Sequence, residues 1–481
     1  LIESEERRDP KPLVPGWVRI LDAAALTVAA VLLWKIFSAD TRAGIFGLIP
    51  RVHTPTLIYA LAALLAVRHI VLLRPTAMAR LAEAWRRLTD RPHWGPAIRA
   101  FVATRLLVFL VALFSVASYD MPKAGIVLAA DPLMNLPMRF DAGWYGGIAL
   151  EGYDRNVNFE RQRNIAFFPA MPMLMRALGP AFGSTTTGVP VQRRVLRILW
   201  AGVFISLIAF LLALAYVDRL AGRWLGRDQA ANAVLLLASY PFACFYNAPY
   251  TESLFLLGTV GAAYHFYQRQ WWQAAAWGFL VGLTRPNGFF LSVPLGLLAL
   301  QPVLRSYRGS EPFAPWTTFK ALAAAAMPVA GMLAFTAYLY SMTGVWFAWA
   351  RSHGAWGRTY TGFEPLNRGF KWVMDDGLIR VLLESPFSVL NTSAAAFALV
   401  MLWVVARRIG AAWAIYIVVI LGPPIFAGGA LSLGRVTSTL FPIFLALAAV
   451  VPSRAAPSLA VAFAVGQGLC TALFFTWREL F

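Results

Sequence analysis

The sequence predicts an all-α, polytopic membrane protein with about thirteen transmembrane helices. Three observations carry this. Of 481 residues, 59% are apolar and 14% charged, where a soluble domain carries about 25% charged residues. Apolar runs long enough to cross a bilayer recur along the whole chain. Arg and Lys gather on alternate connections between those runs. With a mean hydropathy of +0.62, too few charges remain to coat the roughly three soluble domains such a length would otherwise make. Disordered and fibrous chains are excluded on the same grounds.

In order, the apolar runs are 18–38, 55–74, 97–118, 198–217, 230–247, 251–267, 272–287, 288–304, 319–341, 391–406, 411–429, 436–450 and 456–476. Arg7, Arg8, Lys11 and Arg19 precede the first run, and Arg74, Arg80, Arg86, Arg87, Arg91 and Arg99 crowd the stretch after the second. Arg219, Arg223 and Arg227, then Arg269, then Arg305, Arg308 and Lys320, then Arg407 and Arg408, and finally Arg454 follow every second run thereafter. All fall on one side, which the positive-inside rule makes cytoplasmic. The net charge of +19 is therefore topology. No nucleic-acid partner is implied, because no basic run is interleaved with aromatics. Cys244 and Cys470 both lie in apolar stretches and imply neither a disulfide framework nor a zinc site.

The chain divides by this reading into an N-terminal two-span extension (1–96), a core (97–450), and a last span with the C-terminus (451–481). Residues 77–92 alternate Met78, Leu81, Trp85 and Leu88 with Arg at helical spacing, as an interfacial helix on the cytoplasmic surface does. Two long segments, 119–197 and 342–390, fall on the opposite side. Both exceed a plain connection and are rich in Trp, Tyr, Phe, Pro and Gly.

The candidate chemistry sits on that opposite side. In Arg139-Phe140-Asp141-Ala142-Gly143-Trp144-Tyr145, Asp141 starts a short helix that puts Tyr145 and Ala149 on one face. Asp141 is there either as a helix cap or as a general base taking a proton from an attacking hydroxyl. Glu151 and Asp154 read as solvated loop acids. Pro169 and Pro172 break the run 164–172 into a short helix on the membrane face. Glu252, after Pro249, is either an acid favoured by a helix dipole or an acceptor for sugar hydroxyls. Arg285 in Thr284-Arg285-Pro286-Asn287-Gly288 interrupts an apolar run. An intramembrane cation there either snorkels or serves function, holding a phosphate bidentately. Arg435, at the start of the twelfth run, is a second lone cation with no acid near it in sequence. Together the two Arg suit an anionic lipid headgroup. Asp375-Asp376 reads as a polar turn before Gly377 rather than a cation site. No phosphate loop, dinucleotide fingerprint or metal motif is present in the sequence, and five scattered His form no metal cluster.

These residues resemble the PIG-V-like mannosyltransferases, relatives of GPI mannosyltransferase II within the GT-C class of integral-membrane glycosyltransferases. The resemblance runs through Phe140-Asp141 to Tyr153, Ala166-Phe167-Phe168-Pro169 to Pro172, and Tyr250-Thr251-Glu252-Ser253-Leu254-Phe255. It continues through Thr284 to Gly288 and Ser432 to Pro442. Order and spacing agree from about residue 100 to 450. Departures are Thr343-Gly344-Val345-Trp346 where bacterial relatives have Thr-Gly-Asp-Pro, and His353 in place of a Gln before Trp356-Gly357-Arg358. The resemblance implies a GT-C fold, a polyprenyl-phosphate sugar donor and inverting transfer in the outer leaflet, with Asp141 as base.

The expected activity is thus transfer of a hexose, mannose, from a polyprenyl-phosphate donor to a hydroxyl of a glycolipid, glycan or protein. Arg285 and Arg435 would bind the donor phosphate. Arg139, Trp144, Tyr145, Glu252, Asn287, His353 and Trp356 would bind substrate. No cofactor or metal is called for. The Ala, Arg and Gly content points to a bacterial genome, and the expected location is the bacterial inner (plasma) membrane, among its lipids, with the site extracytoplasmic. A flippase or transporter of a lipid-linked anion would also use intramembrane Arg, but would carry inverted repeats, and no such symmetry is seen. A GT-C transferase of another lipid-phosphate-linked group is the second alternative.

Overall fold

In a computed structural model, the residues described are 16–37, 54–71, 77–119, 122, 125–155, 158–309, 312, 314–428 and 431–480. Their regular elements are all helices, with no strand among them. Arg7, Arg8, Lys11 and Arg74 lie outside the described residues. The chain forms two compact units, Leu1–Asp90 and Arg91–Phe481.

In the first unit, α1 (Gly16–Phe37) packs on α2 (Thr54–Val71), and α3 (Ala77–Thr89) follows. Arg68 on α2 donates from Nε to Asp22 on α1 at 2.8 Å, with the side chains 5% and 14% exposed. An Arg in an apolar helix is costly, and a buried counter-charge on the facing helix offsets that cost. On α3, Arg87 pairs with Glu83 one turn earlier at 2.8 Å, a contribution of a few tenths of a kcal/mol.

The second unit holds the remaining helices. These are α4 (Trp94–Ser118), α5 (Ala142–Glu151), α6 (Ala170–Leu178), α7 (Val191–Leu225), α8 (Arg227–Ser239), α9 (Glu252–Tyr267) and α10 (Trp271–Gly282). Next come α11 (Ser292–Tyr307), α12 (Pro315–Thr343), α13 (Ala348–Ser352), α14 (Glu364–Asp376), α15 (Leu378–Glu384) and α16 (Pro386–Arg408). The last are α17 (Ala411–Gly428), α18 (Leu433–Ser438), α19 (Phe441–Val450) and α20 (Ala456–Phe475). The first long segment contains α5 and α6, and the second contains α13 to α15.

Among the described residues, seven helices are long and apolar enough to cross a membrane, which makes this an integral membrane protein. Length and composition alone do not reach the expected count of about thirteen. Part of the reason is in the packing. Helices α8, α9 and α19 have 13, 16 and 10 residues, and α19 is buried from Phe441 to Ala448. A helix enclosed by other helices ends against protein, so its length is not tied to bilayer thickness. The run expected at 436–450 is also divided: α18 stops at Ser438 and α19 begins after Leu440. Asp375 and Asp376 close α14 before Gly377, which has φ of 80°, and Asp376 pairs with Arg380 at 3.0 Å. No group of three metal-ligating side chains occurs among the described residues.

Helices α10 and α12 approach backbone to backbone. A methyl group on Gly282 would run into the Pro328 carbonyl, and one on Gly331 into the Phe279 carbonyl. Gly282→Ala is therefore expected to push α10 from α12 and lower stability by about 1–3 kcal/mol. The readout is the thermal unfolding midpoint in detergent. Gly296→Ala, with nothing within 4 Å of the added methyl, is the matched control and should leave the midpoint level or raise it.

Candidate active site

The site begins in a strained turn. Phe140 has φ of 41°, a left-handed conformation rare for a bulky residue and worth about 1–3 kcal/mol of strain. Its ring packs on Phe474 at 5.7 Å and on Trp477 at 4.9 Å between centroids. The Tyr250 hydroxyl locks the same turn from the other side. It accepts from the Asp141 backbone N–H at 3.0 Å and donates to the Arg139 carbonyl at 3.0 Å. Asp141 precedes the first residue of α5, yet its side chain makes no capping hydrogen bond. Capping is therefore not what the carboxylate does.

That carboxylate instead takes a hydrogen bond from Arg435. Nη1 of Arg435 lies 2.9 Å from Asp141 Oδ2, and its Nε lies 2.8 Å from Glu252 Oε1. The planar guanidinium thus bridges two carboxylates with two of its fixed donors. It lies over the Tyr250 ring at 4.8 Å and the Phe245 ring at 5.3 Å. Arg285 Nη1 approaches the same Glu252 oxygen at 3.3 Å. The four groups form a chain: Asp141, Arg435, Glu252, Arg285. Glu252 is fully buried at the first turn of α9, Arg435 is 7% exposed, and Asp141 at the open end is 24% exposed.

Arg285 and Arg435 were expected to be lone cations, and this is corrected: both are ion-paired. Their acids are distant in sequence and arrive only through the fold. Arg139 is not brought to the carboxylates. Its guanidinium donates to the carbonyls of Phe475 (2.7 Å), Asn135 (2.8 Å) and Met138 (2.7 Å) and is 1% exposed.

Trp144 stacks on Phe167 with centroids 5.7 Å apart, and Trp356 meets both rings edge-on at 5.7 Å. Tyr145 and Ala149 share the buried face of α5, and Tyr145 meets Phe167 edge-on at 5.2 Å. Burial, and after it the Glu252 charge, raise the Tyr145 hydroxyl above its ordinary pKa and keep it protonated. His353 lies 6.4 Å from Trp356, ring to ring. Burial, followed by the Arg358 charge, pushes its imidazole down to about 4, so it is neutral at pH 7, and its buried Nε2 has no partner. Asn287 sits in the short 3-10 helix Pro286–Leu291 that follows α10, with its Oδ1 buried and unpartnered. Of the loop acids, Glu151 is exposed and Asp154 pairs with Arg163 at 3.7 Å. Tyr250, Phe167 and Arg358 belong to the same surroundings and were not singled out from sequence. Each stands inside a motif that was quoted, which is the one signal that pointed to them.

Removing Arg435 strips a buried carboxylate of its closest partner. Arg435→Ala is expected to cost about 3–5 kcal/mol of stability. Arg435→Lys is expected to recover less than half, because one ammonium cannot bridge both acids. Thermal unfolding of the two variants beside the parent checks this.

Residues 97–343 match the model of a family described as mannosyltransferase (PIG-V). No curated protein matches the chain. Among solved structures, the oligosaccharyltransferase of Archaeoglobus fulgidus, crystallised with zinc and sulfate, is 16% identical, with a TM-score of 0.36. The likeness covers 77% of this chain and 52% of that one, so the chain spans about half the length of that protein. With just over half of its residues inside the matched region, and the Phe140-Asp141, Tyr250-to-Phe255 and Thr284-to-Gly288 elements all within it, this chain belongs to the PIG-V mannosyltransferase family.

Proposed function

We propose that the protein is a membrane mannosyltransferase of the GT-C class. It moves mannose from a polyprenyl-phosphate donor to an acceptor hydroxyl at the extracytoplasmic face, with inversion. Asp141 takes the proton from the acceptor hydroxyl. The hydroxyl oxygen then forms its bond to the anomeric carbon, and the bond from that carbon to the phosphate oxygen breaks. The electron pair leaves with the phosphate, giving polyprenyl phosphate. A single displacement needs one base and inverts the centre.

The observation that carries this reading is the Asp141 carboxylate. It is oriented by Arg435 at 2.9 Å, partly exposed, and not spent on capping its helix. Three further features support it. Glu252 Oε2 and Asn287 Oδ1 are buried acceptors without partners, and buried acceptors call for donors such as sugar hydroxyls. The rings of Trp144, Phe167 and Trp356 offer an apolar wall for a sugar face or a lipid stem. Arg435 holds both carboxylates and Arg285 one of them, so the charges around the reacting groups are fixed in advance. The opposite side from the Arg-rich connections is the extracytoplasmic side, and every residue in the proposed chemistry falls there by that counting.

Asp141→Asn is expected to reduce mannose transfer about 100- to 10,000-fold while the protein remains folded. Isolated membranes carrying the protein, supplied with radiolabelled polyprenyl-phosphate mannose, give the measurement. Undiminished transfer to endogenous acceptors would remove Asp141 from the role of base.

A further inference from the structure

The four-membered chain at the site is neutral, since two carboxylates balance two guanidinium groups. A fifth charge stands beside it. Arg358 comes two residues after Trp356, whose ring packs on Trp144 and Phe167. Its Nη2 donates to Ser432 Oγ at 3.2 Å and its Nη1 to the Leu431 carbonyl at 3.3 Å, just ahead of α18 and Arg435. Arg358 is thereby held between the aromatic wall and the helix that carries the bridging guanidinium. Both of its hydrogen bonds are longer than the roughly 2.7–2.9 Å of a charge-assisted bond, and both go to neutral oxygens. No carboxylate ion-pairs with it among the described residues. Burial above all, then the neighbouring Arg435 charge, pushes its guanidinium down to about 10, with Asp141 pulling the other way. It stays cationic at pH 7.

We propose that Arg358 is the donor-phosphate contact of this site: its guanidinium grips the phosphate of a lipid phosphate or of its sugar ester. The inference rests on reading the site as a lipid-phosphate transferase. The ester enters with one negative charge. When its bond to the anomeric carbon breaks, the electron pair stays on the phosphate oxygen and the charge grows. Two donors of Arg435 are already turned to carboxylates and Arg285 ion-pairs with Glu252, so the chain, neutral as a whole, cannot by itself balance a new anion. A half-buried guanidinium without a counter-charge can, and an anion seated on it recovers part of the desolvation cost that Arg358 carries unpaired.

The test uses the full chain in lipid nanodiscs and three probes: a short polyprenyl phosphate, its free alcohol, and inorganic phosphate. The parent protein should prefer the lipid phosphate to the alcohol. Arg358→Gln should lower lipid-phosphate affinity about 10- to 100-fold, as loss of a charged hydrogen-bonding group does, with alcohol affinity unmoved. Should that variant fail to fold, Arg358→Lys carries the test. A point charge without the planar fork should weaken lipid-phosphate binding about threefold to tenfold. Unchanged phosphate affinity in the folded variant overturns the assignment of Arg358 alone. A parent protein that binds alcohol and phosphate alike overturns the reading of the site, and this inference with it. Displacement of the lipid by inorganic phosphate at equal concentration would mark a free-phosphate site and overturn the lipid assignment.

Discussion

One guanidinium holds the site end of the second unit together. Arg435 reaches Asp141 at the start of α5 and Glu252 at the start of α9 from its own short helix, α18. A carboxylate beside a helix N-terminus is favoured by the backbone dipoles there, so both acids sit where their own helices stabilise them before Arg435 is counted. The guanidinium then fixes the two helix starts relative to each other. Lys could neutralise either acid, but only a planar set of fixed donors can bridge both. The Tyr250 and Phe245 rings beside the guanidinium keep water away and strengthen the pairing.

The turn that presents Asp141 is as constrained as the ion pairs. Phe140 and Ser432, with φ of 41° and 62°, both adopt the left-handed region. The first immediately precedes Asp141, and the second immediately precedes α18. Strain of this kind persists only where the surroundings over-determine it. Here the aromatic packing of Phe140 on Phe474 and Trp477, and the two hydrogen bonds of the Tyr250 hydroxyl, do so. The position of the carboxylate is thus set by groups from α20 and from the residues just before α9, and its own helix supplies little of it.

The fold class was legible because apolar run length and Arg placement are properties of the linear chain. The number of full spans was less legible, in part because α8, α9 and α19 are enclosed by other helices, and enclosure removes the length requirement that makes spans countable. The stretches of the site were legible too, since an ionisable or broken stretch in an apolar run is conspicuous. Their pairing was not. Arg435 lies 183 residues from Glu252 and 294 from Asp141, and nothing local records that distance being closed. Arg139 shows the converse error: two residues from Asp141 in sequence, its side chain is committed to backbone carbonyls.

That contrast sorts the buried Arg residues into two kinds. Arg105 donates to the carbonyls of Ala238 and Ala243, where α8 ends and the chain passes through Pro241–Asn247. Gln467 on α20 donates to the carbonyls of Ala238 and Tyr240, and the Tyr246 hydroxyl donates to that of Ser438, where α18 ends. Arg139 does the same for Phe475 at the end of α20. In lipid a broken helix would leave these carbonyls unsatisfied, at several kcal/mol each. Surrounded by protein, they are met by side chains reaching across from neighbouring helices. The interruptions before α9 and before α19 are tolerated for that reason, and at the one before α11 the Leu283 carbonyl takes the Ala170 backbone N–H at 3.0 Å; Tyr250, Thr284 and Leu440 are all at 1% exposure or less. Each interruption lets a polar segment enter an otherwise apolar bundle, so Glu252, Arg285 and Arg435 lie beside them. One set of buried Arg residues makes the breaks affordable to the backbone, and the other set, standing at those breaks, carries the charge of the site.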